Sequence, residues 1–346
     1  MTADELDKLL DDFLASCKED STADAETAEP TPSPCDETDE TDAAGSMDTR
    51  QEPTALGELM AMTGLEQVKQ TILTQLSYGR IMQARKYSSH RVPPRLFHMV
   101  LTGNPGTGKT TVARLIGRIF HEAGLLYSGH TVEMNRASLV GRHIGESEDI
   151  TSQAIKDARG GILFIDEMYS LCEQTGDGDQ RDFGFKVIDT LMPVLSDPES
   201  ETLVIGAGYR NEMNRMLSIN PGLKSRFPIV LDFKDFTAAE IKSMTENRLA
   251  GYDISLHPEA DEALESLIGR AMMVRDFGNG RFVTNLVDNF ILPAMCRRVS
   301  ASIRDDHSAS DICDMTDTIL ACDIPSLAAI FPFTELTTRR SAGFIN

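Results

Sequence analysis

The segment Gly103-Asn-Pro-Gly-Thr-Gly108-Lys109-Thr110 fits G-x-x-x-x-G-K-[ST]. Its glycines let the backbone wrap tightly, so that successive N–H groups converge on phosphate oxygens, and the helix that follows adds the positive end of its dipole. Asn104, Pro105, Gly106, Thr107 and Gly108 form the cradle. Lys109 is placed to bridge β- and γ-phosphates, and the Thr110 hydroxyl to ligand Mg²⁺, with Thr111 beside it at the helix start. A second signal lies 57 residues beyond Lys109: Gly161-Ile-Leu-Phe-Ile-Asp166-Glu167, an apolar run ending in two carboxylates. Adjacent acids at the end of a buried strand are costly unless something pairs with them. A divalent metal held by Asp166 and a water oriented and polarised by Glu167 would account for both.

The elements that must position these groups are legible as alternating patterns. HMVLTG (98–103), HTVEMN (130–135), GILFID (161–166) and TLVIGAG (202–208) are short apolar, β-branched runs. Helical patterns lie between them, such as TTVARLIGRIFHEAG, EDITSQAIKDAR and FGFKVIDTLMPVLSD. Strand–helix alternation of this kind predicts an α/β domain with a parallel sheet covered on both faces, over about 55–235. The region 236–346 offers helical stretches without strand-like runs (AAEIKSMTENRLAG, EADEALESLIGRAMMV, RFVTNLVDNFILPAMCRRV) and reads as a small helical domain with a C-terminal tail.

Charge divides the chain differently. Of 346 residues, 33 are Lys or Arg and 54 are Asp or Glu, a formal net charge of −21. Residues 1–54 hold 17 of the acids and 3 of the bases, so two-thirds of the excess lies there. Within that stretch, 19–54 has almost no large apolar residue and is expected to be a disordered acidic linker. Ahead of it, in 1–18, Leu6, Leu9, Leu10, Phe13 and Leu14 make one helical stripe, with Thr2 and Glu5 at capping-box spacing. This predicts a short amphipathic acidic helix. The acidic balance argues against a charge-driven grip on nucleic acid. No apolar run approaches the roughly 20 residues of a membrane span, and the N-terminus has no basic signal-like region. The six cysteines form no C-x-x-C pair and read as free thiols, which points to the cytoplasm. His121, His130 and His257 lack metal-ligand spacing, and the TGDGDQ loop (175–180) resembles a Ca²⁺ loop in composition alone.

Taken together, GNPGTGKTTVAR, GGILFIDEMYSL, VIGAGYRNEM and NPGLKSRF resemble the AAA+ ATPases, and most closely the CbbX/stage V sporulation protein K (CfxQ-like) family. The resemblance covers about 55–300. It implies a P-loop NTPase core followed by a helical AAA+ lid, with ATP and Mg²⁺ as ligands. It also implies a ring-forming homo-oligomer, six subunits being the expectation, that remodels a protein client. By motif, Met62-Thr-Gly64-Leu65 resembles the segment lining the adenine pocket. Arg226 resembles an arginine finger that reaches a neighbouring subunit's γ-phosphate, and Arg281 resembles the sensor-2 arginine. Two places depart from the commoner pattern. The sensor-1 position reads Ala207-Gly-Tyr209, which makes Tyr209 the candidate for positioning water, with a structural tyrosine as the alternative. In the loop resembling the family's pore loop, Arg142-His143-Ile144, an imidazole stands where an aromatic is usual. That histidine leaves open a second reading: an ATP-dependent switch or scaffold that controls assembly and partner binding without threading a client.

Overall fold

The structure, a computed structural model, describes residues 54–93, 96–141, 143, 145–172, 183–274, 277–303 and 315–332. The expected N-terminal helix, the acidic linker up to residue 53, the 175–180 loop, Arg142 and Ile144 lie outside the described residues.

Four apolar runs form strands where the sequence places them: β1 (Met99–Gly103), β2 (Thr131–Met134), β3 (Ile162–Ile165) and β4 (Leu203–Gly208). A fifth, β5 (Ile229–Phe233), was not expected. It pairs with β1 at the sheet edge, and the order is β2-β3-β4-β1-β5, all parallel. Every residue of β1, β3 and β4 is buried, as a sheet covered on both faces requires. Only alternate residues of β5 are buried, and Asp232 interrupts its apolar run, which is why the pattern does not stand out.

The two-residue period sorts the strand side chains onto two cores. Met99, Leu101, Phe164, Ile205 and Leu231 face α1 (Ala55–Ala61), α2 (Glu66–Tyr87) and α3 (Lys109–Glu122). Val100, Leu163, Ile165 and Val204 face α4 (Glu146–Asp157), α5 (Phe183–Ser196), α6 (Arg210–Ile219) and α7 (Pro221–Arg226). Because all strands run the same way, Gly103, Asp166 and Tyr209 leave their strands at one end of the sheet, where open α/β sheets place their ligands.

From Ala238 onward the described residues are mostly helical, with α8 (Ala238–Ala250), α9 (Pro258–Ala271), α10 (Gly280–Asn285) and α11 (Leu292–Ser302) the longer helices. A π-helical stretch, Leu286–Ile291, joins the last two. These helices pack around a third core that includes Ile241, Leu264, Leu267, Phe282, Leu286 and Ile291. The region carries one feature the sequence pattern did not show, a parallel pair of two-residue strands, β6 (Ser255–Leu256) and β7 (Thr318–Ile319). Runs that short leave no periodicity to read. Among the described residues no helix is long and apolar enough to cross a membrane.

Candidate active site

β1 ends at Gly103, and the loop turns through Gly106 (φ 73°) and Gly108 (φ 93°) into α3. Gly106 has a steric reason beyond its dihedral: a Cβ there would lie 2.0 Å from the Gly278 carbonyl oxygen. Gly108 caps α3 with no side-chain hydrogen bond, and the first turn holds no acid, so the opening amides present positive charge to a ligand. Lys109 Nζ donates to the carbonyls of Gly103 and Asn104, both at 2.8 Å. Burial pushes the Lys109 ammonium below its ordinary pKa and Arg281 adds to the shift, while Asp166, Asp235 and Glu167 oppose it. That set of partners shows how closely opposed charges gather around the lysine.

The Asp166 amide donates to Met134 O at 2.8 Å, which carries the β2–β3 ladder one step past the strand. Its Oδ1 accepts the Glu167 amide at 3.0 Å, and Glu167 itself turns through φ 49°. The strand end is thereby bent so that a half-buried carboxylate and an exposed one stand side by side.

These groups share one cavity of about 730 Å³ between the sheet end and the lid, within the usual range of small-molecule sites. Pro105, Gly106, Gly108, Lys109, Thr110, Thr111, Asp166, Glu167, Tyr209 and Arg281 all line it. The Thr110 hydroxyl and the Asp166 carboxylate are hard oxygen donors, few in number, a set that fits Mg²⁺ retaining several waters. Tyr209 also packs its ring on Tyr169, with centroids 5.9 Å apart.

Other expected residues sit elsewhere. Asn104 and Thr107 do not line the cavity. Asn104 donates its amide to Asp235, and Thr107, fully buried, donates its hydroxyl to Asn104 O at 2.8 Å. Gly64 and Leu65, both with positive φ, do not line the cavity; Ala61, Met62 and Thr63 are the residues of that segment that do. The buried Lys69 ammonium holds this segment by donating to Met62 O at 2.7 Å. Arg226 does not line the cavity: its guanidinium donates to Ser196 Oγ at 2.6 Å and Gly222 O at 2.8 Å. His143 is exposed, with its backbone amide donating to Glu146 Oε2 at 2.9 Å.

Several contributors were not singled out from sequence. The lid supplies Met244, Asn247, Thr284, Asn285 and Asn289. Asn285 and Asn289 are hydrogen-bonded to each other at 2.8 Å at the π-helical stretch. Asp235 and Asn279 join the loop to the lid. Amide side chains scattered over helices have no spacing signature, so no sequence signal marked them.

A phosphate-cradling loop, a strand-end carboxylate pair and a helical lid around one cavity define a P-loop nucleoside triphosphatase of the lidded class. Sequence comparison narrows this. Residues 99–235 match the ATPase family associated with various cellular activities (AAA), and 237–331 match an AAA lid domain. The chain is 40% identical over 258 residues to Stage V sporulation protein K of Bacillus subtilis, covering 74% of this chain and 78% of that one. It is 34% identical to protein CfxQ of Xanthobacter flavus, over 77% and 83% of the two chains. It is 36% identical to the chloroplastic ribulose bisphosphate carboxylase/oxygenase activase of Cyanidioschyzon merolae, over 66% and 76%. The chain belongs to the AAA ATPases and, within them, to the family of stage V sporulation protein K and CfxQ. It is an ATP hydrolase.

Proposed function

We propose that this ATPase works in the cytoplasm as a homo-oligomeric ring, most simply of six subunits, and uses hydrolysis to remodel a protein client. The observation that carries the ring is the position of Arg226. Every other expected catalytic side chain lines the chain's own cavity, whereas Arg226 is held on α7 by Ser196 and Gly222. An arginine that serves hydrolysis from there must serve a neighbour's site, where its planar fork offsets charge developing on the γ-phosphoryl group. The relationship to an activase of another enzyme supports a protein as the client.

Within one subunit the loop amides and Lys109 hold the β- and γ-phosphates. Glu167 orients a water and takes its proton as the water oxygen bonds to the γ-phosphorus; the bond to the β–γ bridging oxygen breaks and ADP leaves with it. Thr110 and Asp166 would hold Mg²⁺, which neutralises charge on the phosphate oxygens when bound. Tyr209 helps position the water, and Arg281 reports the phosphates to the lid.

Mixing two inactive variants tests the ring. Glu167→Gln and Arg226→Ala subunits, each without turnover, should regain part of it when mixed, because some sites then combine an intact Glu167 with a neighbour's intact Arg226. No recovery, together with normal turnover by Arg226→Ala alone, sinks the trans-acting arrangement. The switch reading rests on His143, whose imidazole is smaller than the usual pore aromatic. If His143→Ala keeps normal ATPase and client processing, threading through that loop is wrong and the switch reading takes its place.

A further inference from the structure

The joint between the phosphate loop and the lid is built from side chains that nucleotide chemistry does not require. Asn104 Nδ2 donates to both carboxylate oxygens of Asp235, at 3.0 and 2.8 Å. Asn279 Nδ2 donates to the same Oδ1 at 2.9 Å and reaches Pro105 O at 3.3 Å. Asn279 Oδ1 accepts the amide of Phe236 at 3.1 Å, and the amide of Gly280 donates to Gly106 O at 2.9 Å. Lys109 Nζ, bonded to Asn104 O, stands at one end of this relay. Arg281, two residues past Asn279 and lining the cavity, stands at the other.

The backbone at Asn279 points the same way. Gly278, Asn279, Gly280 and Arg281 form a tight turn closed by a 3.0 Å bond from Arg281 N to Gly278 O. Asn279 adopts φ 50°, ψ −123°, a place where glycine is the default. It is also 3% exposed. A residue kept in a conformation that opposes its Cβ, and buried there, is kept for its side chain. That side chain makes the three contacts that tie the lid to Asp235, Pro105 and Phe236.

We propose that Asn104, Asp235 and Asn279 form a latch by which the phosphate loop sets the position of the lid, and with it the position of Arg281. They are positioning residues and touch no reacting atom. When phosphates engage Lys109 and the loop amides, any shift of Asn104 is passed through the shared carboxylate to Asn279 and the turn that carries Arg281. The inference rests on Arg281 acting at the nucleotide of its own subunit.

Asn279→Gly is the informative variant, because it relieves the unfavourable dihedral while removing all three side-chain contacts. A merely structural asparagine predicts a lower melting temperature and unchanged catalysis. The latch predicts the reverse: a melting temperature within about 2 °C of the parent, and kcat down about tenfold with a smaller change in KM. It also predicts faster amide exchange across 280–285 that ADP no longer slows. In the Arg281→Ala background Asn279→Gly should have little further effect on kcat. Full additivity of the two changes, or normal kcat and normal ADP-dependent exchange in Asn279→Gly, overturns the latch. If Arg281→Ala alone leaves turnover and ADP binding untouched, the sensor reading beneath it fails instead. Asp235→Ala is the second variant: it removes the carboxylate that accepts from both Asn104 and Asn279, so it should show the same loss of kcat. Parent-like kcat there overturns the latch even if Asn279→Gly does not fold.

Discussion

The core and the lid each furnish one wall of the same cavity, and they furnish it by different means. The core works through backbone: loop amides, strand ends and a helix terminus, all fixed by a parallel sheet whose central strands are buried throughout. The lid works through side chains on helices, and meets the loop through a few hydrogen bonds around Asp235 and Asn279. A sheet-bound site tolerates little movement, because its hydrogen bonds and core break together. A helical lid on a hydrogen-bonded joint can shift at small cost. Under the proposed function, the hydrolytic groups Lys109 and Glu167 then lie on the core, and the response to the nucleotide's state runs through Arg281 on the lid.

Several changes would break or sharpen that contrast, beginning with the largest expected effect. Glu167→Gln should lower single-turnover hydrolysis by about 10²–10⁴-fold while ADP affinity and lid exchange stay near the parent. A collapse of ADP binding in that variant would show that core and lid are not separable. Leu264→Ala, at a fully buried position of the lid core, should cost about 2–5 kcal/mol in a denaturant melt. If the lid is the softer unit, the loss appears as a separate early transition.

His98 provides the matching probe for the core. Its Nδ1 accepts the Val204 amide at 3.0 Å, and burial lowers its pKa to about 4, with the Val194 backbone pulling the other way. The folded pKa lies below the unfolded value near 6.5, so the unfolded chain takes up the proton first. The contribution of neutral His98 is fully present above pH 6.5 and is lost as pH falls toward 4, by about 3 kcal/mol at most. Calorimetry from pH 7 to 4 should show the core transition falling with pH, and a His98→Phe variant falling less. Gly106→Ala comes next: its Cβ has no room beside Gly278 O, so the joint must open, at about 1–3 kcal/mol and with weaker ADP binding. Smallest of all, removing residues 1–53 should leave ATP hydrolysis by the remaining chain unchanged in a steady-state assay, even though most of the charge excess goes with them.

How much of this was readable beforehand depended on range. The loop at 103–110 and the strand ending in Asp166-Glu167 were legible because glycine spacing and adjacent acids are local facts. The four buried strands were legible because sheets covered on both faces demand unbroken apolar runs. β5 was not, since an edge strand needs only every second residue buried and Asp232 sits within it. The hydrogen bonds from Asn104 to Asp235 and from Thr107 to Asn104 O were hidden by the place of both residues in the motif.

The sequence by itself determined a phosphate-binding loop, a carboxylate pair, the α/β-then-helical order and the acid-rich N-terminal stretch. Each follows from backbone freedom, charge or periodicity within a few residues. Only the tertiary structure decided that Asp235 lies between Asn104 and Asn279, partners 131 and 44 residues away. It likewise decided that Arg226 stands clear of the cavity that Arg281 enters. A hydrogen bond between side chains distant in sequence leaves no periodic trace, because its geometry exists only once the sheet and the lid have packed.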